Sequence, residues 1–135
     1  MGSRTLDLDV LTYGDQVTEE GGKPLPRDEI LEYAYGVMIA RGDVSARNDV
    51  DRIIQEVKDT MPPLKGIQHA AMVLDDGSIP EIDHERYMKV FVPKSIGCWN
   101  LHEATLDMQM DHFVLYSSIS SVYGNPGQVS YVAGN

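Results

Sequence analysis

Apolar side chains recur at Val50, Ile53, Ile54 and Val57, a spacing of i, i+3, i+4 and i+7 that puts them on one helical face, and this predicts a helix over residues 48–59. Pro62 and Pro63 end it, because proline has no N–H to donate. Upstream, the apolar run Val37 to Ala40, opened by Gly36, has the length of a buried strand and stops at GDVS, residues 42–45. A short helix is expected just before it, over residues 28–35. Residues 66–71 and 113–116 read as two further strands. Between them, residues 80–106 read as helical, interrupted or restarted near Pro93. Leu6 to Val10 alternates apolar and acidic residues like a short strand, and Gly14 to Arg27, rich in glycine, proline and charge, reads as an exposed loop. Strand and helix alternate through most of the chain. That order predicts an α/β domain, with a parallel sheet covered by helices on both faces. Ligands of such sheets sit beyond the carboxyl ends of the strands. Asp43, the pair Ala70 and Ala71, and residues 117–121 follow the three main apolar runs and are expected to face one crevice.

Composition narrows the class. A chain of 135 residues with 42% hydrophobic and 24% charged residues has the size and apolar content of one ordinary domain. No apolar run approaches the ~18 residues needed to cross a bilayer, and the N-terminus lacks the basic-then-apolar order of a secretory signal. No membrane partner is expected, and the cytoplasm is the expected compartment. Cys98 is the single cysteine, so there is no internal disulfide and no cysteine pair for zinc, and no metal is expected. A formal net charge of −10, with no lysine or arginine stripe, excludes a nucleic-acid partner.

Chemistry concentrates at the C-terminal end. Ser118 lies just past the third strand, Ser130 is placed to cap a following helix, and Tyr131 and Asn135, at i and i+4, share one face of that helix. A phenol titrates near ~10, too high to give up a proton readily at neutral pH, but a nearby ammonium favours the phenolate. Lys94 is the candidate for that charge. With Ser118 holding a carbonyl oxygen and Tyr131 protonating the alkoxide that forms as hydride arrives at carbon, these residues suit carbonyl reduction. Asn135 would position Lys94, directly or through water. Hydride must come from a nicotinamide, since no side chain supplies it. His69 and His102 lie in apolar surroundings and read as packing or hydrogen-bonding residues. Trp99 and the methionines read as core or interface packing, and Asp75 and Asp76 can be explained as a turn before Gly77.

GDVS at 42–45, HAAMVLDDG at 69–77, VPK at 92–94, NLH at 100–102 and SSISSVYGNPGQVSYVAGN at 117–135 together resemble the ketoreductase domain of polyketide synthases and multifunctional fatty acid synthases. These are complex-type members of the short-chain dehydrogenase/reductase superfamily. Ordinary members carry the lysine one helical turn after the tyrosine, whereas here Asn135 stands there and the lysine is upstream at Lys94, an exchange characteristic of the ketoreductase domains. The resemblance implies catalytic positions at Lys94, Ser118, Tyr131 and Asn135, an adenine site flanked by Asp43 and Val44, and a pocket for NADPH lined by Ala70 and Ala71. Arg4 matches, less closely, an arginine that pairs with the 2′-phosphate of NADPH. Leu74, Asp75 and Asp76 resemble the triplet of ketoreductases that make the D-configured 3-hydroxyl, and Tyr123 stands where the opposite type carries tryptophan.

By this resemblance residues 35–135 form the family-like core of one partial domain and residues 1–34 match poorly. The implied fold is a partial Rossmann-like, doubly wound parallel sheet lacking the family's first strand and its C-terminal strands. The family's glycine-rich pyrophosphate loop is also missing: Gly21 and Gly22 are followed by Lys, Pro, Leu and Pro, on which no helix opens. The expected function is NADPH-dependent reduction of a carrier-protein-bound 3-oxoacyl thioester beside neighbouring synthase domains, with the isolated fragment inactive. Two alternatives stand beside it, a non-catalytic structural half-domain of a synthase and a stand-alone reductase of small ketones.

Overall fold

The structure, a computed structural model, describes residues 38–135 and the backbone of Leu6–Asp7. Arg4, Val37, the loop expected at 14–27, the helix expected at 28–35 and the rest of the strand expected at 6–10 lie outside the described residues. In chain order the elements are β1 (Leu6–Asp7), β2 (Arg41–Gly42), α1 (Arg47–Thr60), β3 (Gly66–His69), a 3-10 turn at Ile79–Glu81, α2 (His84–Ala104), β4 (His112–Leu115), α3 (Ser120–Tyr123) and α4 (Val129–Gly134).

β3 and β4 pair in parallel, with Gly66 opposite His112 and His69 opposite Leu115. A parallel pair needs a long crossover, and α2 supplies it. β1 and β2 form a separate antiparallel pair, Leu6 opposite Gly42. The run 37–40 therefore departs from expectation: residues 38–40 form no strand, Ala40 is buried, Ile39 is 74% exposed, and pairing begins only at Arg41. Consecutive apolar residues such as Ile39 and Ala40 cannot both face inward on a segment with solvent on one side.

α1 fulfils its periodicity, burying Val50, Ile53, Ile54 and Val57. Val50, Ile54 and Val57 meet Val44, Leu64, Ile67 and Leu101 in one apolar core. Along β3, Ile67 and His69 point into the protein and Gln68 out, the alternation a strand imposes.

α2 runs unbroken through Pro93, where an interruption was expected. Proline forfeits one backbone hydrogen bond and crowds the preceding turn. Here it also lies on the buried stripe formed by Val90, Pro93, Lys94, Gly97, Asn100 and Leu101, so packing on both sides of it holds the helix together. The helix begins at Asp83, whose carboxylate accepts from the Arg86 N–H at 2.9 Å. Just before it, the Glu81 carboxylate accepts from the Ser78 N–H at 2.9 Å and the Ser78 hydroxyl at 2.6 Å, closing the 3-10 turn. No helix among the described residues is long and apolar enough to cross a membrane.

Candidate active site

Lys94 projects from the middle of α2 and is only 8% exposed. Its Nζ donates to the carbonyl oxygen of Tyr116, the residue after β4, at 2.6 Å and stands 5.8 Å from the centre of the Tyr131 ring. Burial pulls the pKa of this ammonium below the ordinary lysine value, and the adjacent Tyr131 draws it partly back up. Beneath it, the buried His69 donates from Nε2 to the Lys94 carbonyl at 3.3 Å, which assigns the proton to that nitrogen. Burial lowers the His69 pKa and so favours the neutral ring, while Nδ1 has no partner among the described residues.

Tyr131 reaches this lysine because α4 packs on α2. The two helices are close at Gly134, where a Cβ would lie in ordinary van der Waals contact with Phe91 Cα at 3.5 Å and Lys94 Cβ at 3.7 Å. Asn135 sits one turn beyond Tyr131, but its amide donates to the Tyr131 carbonyl at 2.6 Å rather than to Lys94. A side chain one turn on reaches that carbonyl easily, and the lysine has already turned to Tyr116. The Asn135 Oδ1 is left buried and unpaired among the described residues. Ser117 donates to the Asn135 carbonyl at 3.2 Å, tying the end of α4 to the segment after β4. Ser118, next in line, accepts the Ser120 N–H on its Oγ at 3.2 Å and so opens the turn into α3. Ser130 was expected to cap α4. Gln128 takes that position, and Ser130 lies inside the helix, 2% exposed, with its Oγ unpaired.

On the expected cofactor side, Asp43 is exposed and bound up in a turn. Its Oδ1 accepts from the Ser45 N–H at 2.9 Å and the Ser45 hydroxyl at 2.6 Å, and its own N–H donates to Asp49 at 2.8 Å. Val44 is buried against α2, where Gly97 makes room for it and Asn100 donates to the carbonyls of Val44 and Ser45, each at 3.0 Å. Ala70 is exposed and Ala71 half-buried just past β3, which ends at His69 and not at Ala71 as expected.

The Leu74 to Asp76 triplet is held from α2 by residues that sequence reasoning missed. Asp75, with its side chain 17% exposed, accepts on Oδ1 from Arg86 Nε at 3.0 Å and Nη2 at 2.6 Å, and on Oδ2 from Lys89. Arg86 also donates to the Asp76 carbonyl from Nη2 and to the Glu81 carbonyl from Nη1, both at 2.9 Å. Bonds from Lys89 and then Arg86 hold the Asp75 carboxyl below its ordinary pKa. Lysine or arginine one turn apart at the start of a helix, after an acidic loop, is the signal that was available. From the other side, Gly77 N–H donates to the Gly127 carbonyl and Gln128 Nε2 to Asp76 Oδ2, both at 2.9 Å. Gly127 has φ of 80°, a conformation open to glycine. Leu74 remains 49% exposed and Tyr123 81% exposed.

Comparison with known proteins gives a consistent result. The family model described as "KR domain" matches residues 19–135. A phenolphthiocerol synthesis type I polyketide synthase of Mycobacterium marinum is 41% identical over 107 residues, which cover 79% of this chain and 5% of the relative. The squalestatin tetraketide synthase of a Phoma species is 33% identical over 133 residues, 98% of this chain and 5% of the relative. Among solved structures, a ketoreductase domain from the bacillaene assembly line aligns with a TM-score of 0.75 at 31% identity, covering 85% of this chain and 29% of the other. An N-terminal ketoreductase from the macrolactin assembly line gives a TM-score of 0.73 at 29% identity, covering 85% and 25%. The chain thus spans about one twentieth of these synthases and a quarter or slightly more of these solved chains. Its parallel pair and crossover helix are part of the Rossmann-like fold of those domains. With the family model matching most of its length, the chain belongs to the KR domain family, the ketoreductase domains of polyketide synthases.

Proposed function

We propose that this chain provides the proton-donating part of an NADPH-dependent ketoreductase, which reduces a 3-oxoacyl thioester on an acyl carrier protein to the 3-hydroxyacyl thioester within a polyketide synthase. The observation that carries this reading is the buried Lys94 ammonium, 5.8 Å from the Tyr131 ring and anchored to the Tyr116 carbonyl. That charge favours the negative charge left on the Tyr131 oxygen once its proton has gone to the substrate. Ser118 holds the substrate carbonyl oxygen from the turn after β4, and the unpaired Asn135 Oδ1 offers an acceptor for proton resupply. Neighbouring synthase domains present the substrate, and the Leu74 to Asp76 triplet favours the D-configured hydroxyl.

The residues present fit one side of a dinucleotide. Ala70 and Ala71 offer a flat surface with little side chain past β3, and the exposed Asp43 and buried Val44 stand at the turn after β2. NADPH supplies hydride when bound. No G-x-G-x-x-G run occurs in the 135 residues, so they offer no glycine-rich cradle of that kind for the pyrophosphate. Alone they are expected to bind NADPH more weakly than micromolar, and a calorimetric titration giving micromolar affinity would remove that part of the reading.

The mechanism is tested by Tyr131→Phe in the native polypeptide. Loss of the proton donor should lower kcat for a 3-oxoacyl thioester by about 10²–10⁴-fold. Turnover retained at the parent rate would take Tyr131 out of the proton-donor role.

A further inference from the structure

The geometry points to Arg86 as the positioning residue that holds the Leu74 to Gly77 loop against the catalytic helices and thereby sets which face of the ketone is reduced, an inference that rests on the ketoreductase reading above. One guanidinium ties down three points of the connection between β3 and α2: the Asp75 carboxylate, the Asp76 carbonyl and the Glu81 carbonyl. Lys89, one turn on, takes the other Asp75 oxygen. These charge-assisted bonds, three of them to a largely covered carboxylate, fix both the place and the orientation of the loop. The start of α2 does not need them, because Asp83 already caps the Arg86 N–H.

What the clamp holds is a surface segment whose Leu74 and Asp76 are exposed and contribute little to the core. Across from Arg86, the same segment meets the approach to α4 through the Gly77 to Gly127 and Gln128 to Asp76 bonds. α4 carries Tyr131, and α2 carries Lys94 about 12 Å beyond Arg86 at the rise of an α-helix. Arg86 therefore sits on the same rigid element as the ammonium and grips the loop that touches the approach to the tyrosine. A loop held in this way presents Leu74 to the substrate in one position, and releasing it lets the ketone turn over.

The test uses the native polypeptide and a diffusible 3-oxobutanoyl thioester, with the two 3-hydroxy isomers separated by chiral chromatography. Arg86→Met is expected to raise the minor isomer about tenfold and to raise KM more than it lowers kcat, since losing orientation affects discrimination before chemistry. Arg86→Lys should restore only part of the ratio, because lysine keeps the charge without the fork. Gly77→Ala attacks the clamp from the loop, its Cβ falling 3.1 Å from Arg86 Nη2, and is expected to shift the ratio in the same direction if Arg86→Met fails to fold. An isomer ratio unchanged in every variant that folds overturns the inference. A parent polypeptide that reduces no 3-oxoacyl thioester overturns the ketoreductase reading instead. In that case amide exchange at Gly77, whose N–H bonds the Gly127 carbonyl, decides the clamp: protection lost in Arg86→Met supports it, and protection unchanged overturns it.

Discussion

Lys94 pays a cost that most surface lysines avoid, since the residue is almost fully covered and the partners of its ammonium are a neutral carbonyl and the Tyr131 ring. Desolvation disfavours the charged form, which is the direction of its shift. The folded chain then binds fewer protons than the unfolded chain between the depressed pKa and the ordinary lysine value near ~10.4, so stability gained from this site rises with pH across that window. Lys94→Met should therefore keep or raise the melting temperature near neutral pH while lowering proposed catalysis by about 10²-fold or more, and its stability advantage should shrink as the pH climbs toward ~10. Thermal melts of both proteins across pH 7–10 check this, and a large loss of stability at pH 7 in the variant would contradict it. Lys94, Ser118, Tyr131 and Asn135 are proposed for the site from residue type, spacing and motif. Their contacts were not legible in the sequence: Asn135 bonds the Tyr131 carbonyl and Ser130 lies inside α4, because each side chain takes the nearest partner that packing offers.

Among the elements, α2 organises the site. Its buried stripe carries Lys94, its first turns carry Arg86 and Lys89, and its glycine at 97 lets Val44 approach. A Cβ at Gly97 would stand 2.7 Å from Val44 Cγ1, a short branched side chain with little room to turn away. Gly97→Ala is expected to cost about 1–3 kcal/mol in chemical denaturation, overpacking outweighing the gain in helix propensity. A variant as stable as the parent would show that α2 and Val44 can separate freely. The contrast between α1 and α2 shows what periodicity conveys. α1 followed its pattern because one apolar stripe decided everything, whereas at Pro93 a local rule for breaking helices competed with a buried face that continues through Gly97 to Leu101, and the face prevailed.

At the scale of the whole molecule, three carboxyls among the described residues are held below their ordinary pKa: Asp75 by Lys89 and Arg86, Asp49 by the Asp43 N–H and Arg52, and Glu81 by Ser78. Depressed acids stabilise the fold above their unfolded pKa, near ~4, and that contribution is lost as pH falls through the folded values. The melting temperature should drop as the pH is lowered below about 4, less steeply in Asp75→Asn, which has no charge to lose. Equal slopes in the two proteins would show that Asp75 contributes nothing measurable. Asp75 and Asp49 each join a turn to a helix, and Glu81 closes the 3-10 turn on Ser78. The sequence by itself determined the α/β order, the buried face of α1, the absence of a glycine-rich G-x-G-x-x-G run and which residues are proposed for the site, because these follow from residue type, local spacing and motif. Only the tertiary structure decided that β2 pairs with β1 in a separate antiparallel ribbon while residues 38–40 form no strand, that α2 passes through Pro93, and that Arg86 and Lys89 grip Asp75. Those outcomes depend on partners brought together by folding, which local periodicity does not encode.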